Sequence, residues 1–303
     1  MLSKGRHYMY DVAAIFLLIP RERTIWMRLL AISDLHLSQR ENRDALIKMS
    51  SHGDDWLIVA GDIAERIDYH ELALRELTKR FSKVIWVPGN HDLWTVPRPG
   101  YVEERGLERY KVLLQVASNY GVITPEDEYV TWPGFGEGVE GGSYIIVPLF
   151  LLYDYSFRPD SVEQKDVRQW VREKHAECSD ELLLHYEPFE SRQAWCSARC
   201  IEAEQRLKSI PKDYKTILIN HWPLRCDLID LPKLPRFLPW CGTVITKNWH
   251  IRFNAAVVVT GHLHTRRTDY VDDCRFEEVS LGYKNQWDSS HGIDHYLREI
   301  LPA

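Results

Sequence analysis

Residues 29–36, with the sequence LLAISDLH, join a short apolar segment to two polar side chains that can bind a metal. The segment from Leu29 to Ile32 is entirely apolar, which is typical of a β-strand covered on both faces. Asp34 and His36 follow it within a few residues. A carboxylate and an imidazole directly after a buried strand predict a polar site at the carboxyl end of that strand.

The same arrangement recurs along the chain. The further apolar runs that end in polar residues are WLIVAGD at 56–62, VIWVPGNHD at 84–92, TILINH at 216–221 and AVVVTGHLH at 256–264. Asp34, Asp62 and Asn90 follow one another at intervals of 28 positions, close to the length of one strand–helix–strand unit. Right-handed crossovers return successive strand ends to one edge of a sheet, so we expect these residues to converge.

The remaining pattern predicts an α/β domain in which short apolar runs alternate with amphipathic stretches. The predicted strands are Leu29–Ser33, Trp56–Ala60, Val84–Val87, Ser143–Pro148, Thr216–Asn220 and Ala256–Thr260, with a hairpin over residues 268–281. The predicted helices are Asn42–Ser50, Asp68–Phe81, Gly106–Ser118, Val162–Glu177 and Arg192–Ser209.

The composition is that of a globular protein with no strong charge bias. Of the 303 residues, 45% are hydrophobic and 27% charged, and the net charge is −6. A mildly acidic chain lacks the basic surface of a general nucleic-acid binder, so nucleic acid is disfavoured as a partner. The longest apolar run, Val12–Pro20, has 9 residues, less than half of the ~20 that a spanning helix needs, so we expect no membrane span.

Residues 1–26 are predicted to be an N-terminal extension, either upstream of the true start of the protein or an accessory arm. Lys4 and Arg6 precede the apolar run as in a signal peptide, but the small-residue cleavage pattern is missing. We favour a start at Met27 over a secretory signal, which leaves residues 27–303 as a single domain. The cysteines lack the two-residue spacing of redox and zinc motifs, which favours a reducing compartment and a cytoplasmic location.

The polar residues that follow the apolar runs form a ligand set for metals. Its members are Asp34, His36, Asp62, Asn90, His221, His262 and His264. Mixed carboxylate, amide and imidazole ligands suit Mn, Fe or Zn. The Asp-x-His and Gly-Asp motifs and His221 have ordinary explanations on their own, such as a turn or a packed histidine, whereas Gly-His-Leu-His and Gly-Asn-His-Asp are rarer and more informative. All five in order, each at the end of a predicted strand, indicate a metal centre.

This series of motifs resembles the calcineurin-like metallophosphoesterase superfamily over residues 27–302. The segments WCGT at 240–243 and EVSLGY at 278–283 are also similar to a bacterial subgroup whose substrates are mostly unassigned. The resemblance implies an α/β fold of four layers, α/β/β/α. Two mixed sheets would pack face to face, with helices on both outer sides.

The resemblance also implies a role for each motif residue. The first metal ion would be bound by Asp34, His36, Asp62 and His264. The second would be bound by Asp62, Asn90, His221 and His262. Asp62 would thus bridge the two ions, which would share a hydroxide that attacks phosphorus. His91 would lie over the substrate and act as general acid or as a donor in the transition state.

One departure from the family bears on the substrate. The protein phosphatases of the superfamily carry Gly-Asp followed by Asp-Arg-Gly, whereas residues 61–67 here are GDIAERI, with Glu65 and Ile67 at the positions of the second Asp and the last Gly. A protein phosphatase is therefore disfavoured. Glu65 could orient His91 and Arg66 could face the substrate, although a solvated pair at a helix start explains both equally well.

The predicted function is hydrolysis of a phosphate ester by a dinuclear metal centre. We favour a phosphomonoester of a small or medium organic molecule as substrate. The alternative is a phosphodiesterase that acts on cyclic nucleotides or glycerophosphodiesters, since such relatives share all five motifs. Arg225, Arg66 and Arg98 are the candidate phosphate contacts, because they lie in or next to loops near the motifs. A nuclease and a non-catalytic scaffold are disfavoured, and the oligomeric state stays open.

Overall fold

The computed structural model describes residues 27–100, 104–134 and 142–302. The predicted N-terminal extension, residues 1–26, lies outside the described residues. The strands are β1 (Leu29–Ile32), β2 (Trp56–Val59), β3 (Lys83–Trp86), β4 (Val130–Thr131), β5 (Tyr144–Pro148), β6 (Lys215–Ile219), β7 (Ala255–Thr260), β8 (Thr268–Val271), β9 (Cys274–Glu278) and β10 (Arg298–Leu301). The α-helices are α1 (Arg40–Ile47), α2 (Ile67–Leu77), α3 (Asn90–Leu93), α4 (Gly106–Asn119), α5 (Val167–Arg172), α6 (Asp180–Leu183), α7 (Arg192–Leu207) and α8 (Trp249–Arg252).

The strands form two mixed sheets. The first has the order β10-β1-β2-β3, with β1, β2 and β3 parallel and β10 antiparallel to β1. The second has the order β4-β5-β6-β7-β9-β8, with β5, β6, β7 and β9 parallel. Its edge strands β4 and β8 are antiparallel to their neighbours. The parallel strands of each sheet therefore present their carboxyl ends on one side.

Successive residues of a strand enter different parts of the core, because side chains alternate between the two faces of a sheet. In β1, Leu29 and Ala31 belong to an apolar cluster built from strands of both sheets, which places them between the sheets. Leu30 and Ile32 belong to the cluster that contains the helices. Both faces of β1 are thus buried, as its continuous apolar sequence predicts.

The helices cover the outer faces of the sheets. Leu74 of α2 and Leu113 of α4 are buried in the same cluster as the outward side chains of the first sheet. Trp195 of α7 packs edge-on against Phe150, directly after β5, with ring centroids 5.3 Å apart. Among the described residues, none of the helices has the length and apolarity needed to cross a bilayer.

The two sheets are joined near the ends of β1 and β9. Ser33 pairs with Ser280 in a parallel bridge. The backbone N–H of Ser33 donates to the carbonyl of Val279 at 3.1 Å, and the N–H of Leu281 donates to the carbonyl of Ser33 at 2.8 Å. This junction brings the carboxyl ends of strands from both sheets to one place.

The prediction of a helix over Val162–Glu177 is wrong in extent. The structure has a 3-10 turn at Gln164–Asp166 and then α5, which ends at Arg172. Val167 and Val171 are the buried residues of α5, and Lys174 and His175, which would continue their spacing on a longer helix, are polar and exposed. His175 has a left-handed backbone conformation (φ 54°), which breaks the helix.

We expect the layer between the sheets to dominate the stability of this fold. Ile219 at the end of β6 is completely buried in that layer, directly before Asn220 and His221. Ile219→Ala should lower the free energy of unfolding by about 2–5 kcal/mol, because it leaves a cavity. Ile251→Ala is the matched control, since that side chain is 59% exposed, and should change it by about 0.5 kcal/mol or less. Urea unfolding followed by circular dichroism measures both, and equal losses would contradict the assignment of this layer.

Candidate metal centre

The five polar motifs lie at the carboxyl ends of β1, β2, β3, β6 and β7, around the junction of the sheets. The structure brings all seven predicted ligands together. Three overlapping groups have ligand atoms within 4.8 Å of one another, and they are Asp34, His36 and His264; His36, Asp62 and His91; and Asp34, Asp62 and His221. Because these groups share members, they form one continuous cluster.

The first part of the cluster is built from Asp34, His36 and His264. Asp34 Oδ1 lies 2.9 Å from His264 Nε2 and 3.7 Å from His36 Nε2. The two imidazole nitrogens are 3.2 Å apart. His264 donates from Nδ1 to Gln286 Oε1 at 2.7 Å, so Nε2 is the nitrogen that faces the other two side chains.

The second part is built from Asp62, Asn90, His221 and His262. Asn90 Oδ1 lies 3.1 Å from both His221 Nε2 and His262 Nδ1. Asp62 Oδ2 lies 3.4 Å from His221 Nε2. His221 donates from Nδ1 to the carbonyl of Ala60 at 2.8 Å, so its Nε2 is the nitrogen that faces the cluster.

These distances fit metal ions. Ligand atoms that surround one ion with bonds of about 2.0–2.2 Å lie roughly 3–3.5 Å apart, and the separations in both parts of the cluster are close to that range. In each part, imidazole nitrogens lie beside a carboxylate or amide oxygen. The donor set suits Mn, Fe or Zn.

The backbone of the ligand loops is unusual. Asp34, His36, Asp62, His262 and His264 all have positive φ, between 41° and 74°. Left-handed conformations are uncommon for residues other than glycine, and they cost of order 1–3 kcal/mol each where the surroundings impose them. Their concentration at the strand ends indicates that the fold holds these side chains in place at a cost in stability.

Glycines allow the ligand loops to approach one another. A Cβ added at Gly61 would lie 2.5 Å from His221 Nδ1. A Cβ at Gly89 would collide with the carboxylate of Asp62, and one at Gly261 would collide with Ser33 and Asp34. Each of these glycines precedes a ligand, so the Gly-Asp, Gly-Asn and Gly-His pairs of the sequence have a steric cause.

A buried carboxylate ties two of the loops together. Asp92 accepts hydrogen bonds from the backbone N–H groups of Asp62, Ile63, Ala64 and Gly89 at 2.8–3.1 Å. Burial raises the pKa of Asp92 to about 7, against the effect of these N–H donors. The loop that carries Asp62 is thereby fixed to the loop that carries Asn90.

His91 lies at the edge of the cluster, with its ring 4.6 Å from that of His36 and its backbone N–H donating to Asp62 Oδ1 at 2.8 Å. Its Nδ1 donates to Glu65 Oε1 at 2.7 Å, and its ring packs on Trp94 with centroids 3.6 Å apart. The expected contact between Glu65 and His91 is therefore present. Arg109 of α4 donates to the carbonyls of Asp92 and Glu65 and so supports both sides of this arrangement.

The charges of the cluster favour cations. Burial lowers the pKa of His221, but the carboxylate of Asp62 outweighs that effect and raises it to about 10. In the same way the carboxylate of Asp34 raises the pKa of His264 to about 9 against burial. Protons on these imidazoles balance the buried carboxylates in the metal-free chain, so metal binding must displace them.

The predicted substrate arginines are placed differently from the ligands. Arg225 donates to Asp227 at 2.6 Å and to the carbonyl of Lys247, away from the cluster. Arg66 pairs with Asp68 and lies over the ring of Tyr69. Burial lowers the pKa of the Arg109 guanidinium to about 10, and Arg98 lies close enough to contribute to that shift. In the described contacts none of the three arginines touches a predicted ligand.

Several residues that support the cluster were not predicted from the sequence. They are Asp180, Glu278, Tyr283 and Gln286. Glu278 accepts from the N–H groups of His264 and Thr265 at 3.1 Å, and the ring of Tyr283 stacks on His36 at 4.4 Å. Both lie in the EVSLGY segment, which was a usable signal. Asp180 and Gln286 stand in no motif.

Comparison with known proteins gives the family and the fold. The profile of the calcineurin-like phosphoesterases matches residues 27–266. A protein of Mycobacterium tuberculosis named acyl-carrier-protein phosphodiesterase PptH is 42% identical over 286 residues, which cover 94% of this chain and 85% of that protein. The crystal structure of phosphopantetheinyl hydrolase PptH from Mycobacterium tuberculosis aligns with a TM-score of 0.83 and 41% identity, over 92% of this chain and 98% of that chain. The predicted α/β architecture of two mixed sheets with helices is confirmed.

Gly89→Ala tests the steric role of the glycines. The added Cβ would push against the Asp62 carboxylate, so we expect the affinity for metal to fall by at least about 10-fold. Gly53→Ala is the control: its Cβ would meet nothing within 4 Å, although its φ is +58°, so it should cost about 1–2 kcal/mol of stability and keep the metal. Metal content after loading with Mn²⁺ measures both, and full metal content in Gly89→Ala would refute the steric role.

Proposed function

Because the chain belongs to the calcineurin-like phosphoesterase family, and is therefore a metal-dependent phosphoesterase, we propose that it hydrolyses a phosphodiester, namely the bond between a phosphopantetheinyl group and an acyl carrier protein. The observation that carries this proposal is the 42% identity, over 94% of the chain, to a protein named acyl-carrier-protein phosphodiesterase. The resemblance to the superfamily noted in the sequence is confirmed at the level of the family.

The choice between monoester and diester changes with this comparison. The motifs alone favoured a phosphomonoester of a small molecule, and that preference finds no support in the relatives. The alternative of a phosphodiesterase is closer, although with a different substrate from the cyclic nucleotides and glycerophosphodiesters named for it. The substrate would then include a partner protein as well as a small organic group.

The residues of the cluster divide between two metal ions in this proposal. Asp34, His36 and His264 would hold one, and Asn90, His221 and His262 the other, with Asp62 between them. When bound, two cations neutralise charge on phosphate oxygens and lower the pKa of the attacking water. Mn, Fe and Zn are the candidate ions.

His91 supplies the proton that this chemistry needs. Water attacks phosphorus and gives up one proton to solvent, the phosphorus–oxygen bond to the leaving group breaks, and the leaving oxygen takes a proton from His91, which solvent then protonates again. An alkoxide is a poor leaving group, so a positioned acid is typically worth ~10²–10⁴-fold in rate. The bond from Nδ1 to Glu65 leaves Nε2 as the nitrogen that can face the substrate.

Partly exposed aromatic rings lie next to the ligands and could contact the organic part of the substrate. Trp94 packs on His91, Tyr283 on His36 and Phe237 on His262 at 6.0 Å between centroids. Rings around a polar centre provide apolar contacts for a substrate arm, while the metal centre fixes the phosphate.

The proposed substrate can be tested directly. Mn²⁺-loaded protein is incubated with a phosphopantetheinylated acyl carrier protein and, separately, with free phosphopantetheine, which is a monoester. We expect the carrier to lose the mass of one phosphopantetheinyl group and the free monoester to release no inorganic phosphate. Asp62→Asn should abolish turnover, because it removes the charge between the two metal sites.

Mass spectrometry measures the loss of the phosphopantetheinyl group from the carrier, and a phosphate assay measures the release of inorganic phosphate from the free monoester. Faster release of phosphate from the monoester than loss of the group from the carrier would overturn the proposal and restore the phosphatase prediction. Bis-p-nitrophenyl phosphate against p-nitrophenyl phosphate provides the same contrast without a partner protein.

The pH profile tests His91 as the acid. Burial lowers its pKa, but the carboxylates of Asp62 and Glu65 outweigh burial and raise it. A general acid acts while protonated, so activity falls as the pH rises through this pKa. Glu65→Gln removes one carboxylate and should move the basic limb of the kcat profile to lower pH by about one unit.

Glu41→Gln is the matched control for this shift. Glu41 is an exposed acid that forms an ion pair with Lys284. The change therefore removes the same charge from a side chain that does not bond to His91 in the described contacts. Its basic limb should coincide with that of the unmodified protein. An unmoved limb in Glu65→Gln would show that Glu65 does not tune the proton donor.

A further inference from the structure

Asn90 differs from the other predicted ligands because only one end of its side chain can bind a cation. The amide oxygen has lone pairs, whereas the amide nitrogen carries two hydrogens and has none to offer. In the structure Oδ1 faces His221 Nε2 and His262 Nδ1, each at 3.1 Å. A rotation of the amide by half a turn would point two N–H groups at this place and remove the oxygen from it.

The orientation of the amide is set from the opposite side. Asn90 Nδ2 donates to Asp180 Oδ1 at 3.0 Å. A carboxylate only accepts hydrogen bonds, so it attracts the NH₂ end of the amide and repels the oxygen end. Asp180 is completely buried, at 0% exposure, and in such surroundings a mismatch of acceptor against acceptor is costly.

Asp180 is itself held firmly. Trp94 donates from its indole N–H to the same Oδ1 at 2.6 Å. Arg192 of α7 donates to the backbone carbonyl of Asp180 at 2.6 Å. Trp94 also packs on His91. The carboxylate of Asp180 therefore contacts both Asn90, in the second metal site, and Trp94, which lies beside the proton donor.

We propose that Asp180 is a positioning residue, which selects the metal-binding orientation of the Asn90 amide and so completes the second metal site. The inference rests on the proposed assignment of Asn90 as a metal ligand. It does not depend on which phosphate ester is the substrate.

The first test counts metal ions. Metal-stripped Asp180→Asn is titrated with Mn²⁺ alone, and bound metal is measured after equilibrium dialysis. The new amide can donate to the Asn90 oxygen, so the preference for one orientation is lost. We expect one Mn²⁺ to bind as before and the second to bind about 10–100-fold more weakly. Electron paramagnetic resonance should then show isolated Mn²⁺ in place of a coupled pair.

Glu181→Gln is the matched control. Glu181 is the next residue and carries the same charge, but it accepts from Tyr155, Trp240 and Arg192, and none of its hydrogen bonds among the described residues goes to a predicted ligand. This variant should bind two Mn²⁺ with unchanged affinity. Thermal melting in the presence of chelator checks that both variants fold equally well.

A rescue experiment separates positioning from a general effect of charge. Asn90→Asp alone places a carboxylate against Asp180 and should also weaken the second site. In Asn90→Asp combined with Asp180→Asn, the amide at position 180 can donate to the carboxylate at position 90, and the second Mn²⁺ should return. Positive coupling between the two changes is the signature of a direct interaction.

Two results would overturn the inference: a second Mn²⁺ bound by Asp180→Asn within about twofold of normal affinity, and a double variant no better than Asp180→Asn. Failure of the carrier-protein assay together with the expected Mn²⁺ pattern would count against the substrate and leave the role of Asp180 standing.

Discussion

The pairing of Ser33 with Ser280 is the contact on which the rest of the site depends, because it fixes one sheet to the other where their parallel strands end. The first sheet contributes the loops of Asp34, His36, Asp62 and Asn90, and the second contributes His221, His262 and His264. Predicted ligand atoms on different sheets lie about 3 Å apart, and they keep this spacing only if the two sheets do not shift relative to each other. The hydroxyls of Ser33 and Ser280 also donate to Asp34 Oδ2 at 2.6 and 2.7 Å. The two residues that join the sheets therefore also hold the carboxylate of Asp34 in place.

The apolar core and the strained loops have opposite effects on stability. The strands that precede the ligands are buried on both faces, while most of the ligands adopt left-handed backbone conformations. A rigid base allows such loops to persist, and bound cations would compensate for part of the strain. The support continues behind the ligands, where Asp92, Glu278 and Asp180 each accept several hydrogen bonds from the loops and their side chains.

The chemistry of the centre and the choice of substrate have different origins. In the proposed mechanism, the predicted ligands and His91 would serve monoesters and diesters alike, since both need charge neutralisation and a proton for the leaving oxygen. What distinguishes substrates is the surface around the centre. Here that surface includes Trp94, Phe237 and Tyr283, and the arginines expected there are engaged elsewhere, Arg225 with Asp227 and Arg66 with Asp68.

The sequence by itself determined most of the strands, the polar residues that follow them and the family, because apolar runs and the residues after them are local features. It could not show that Val162–Glu177 breaks after Arg172, or that Arg298–Leu301 adds a strand beside β1. Asp180 lies 90 positions from Asn90, and no local pattern marks it. Only the tertiary structure decided which polar groups face one another, since hydrogen bonds between distant residues depend on how the layers pack.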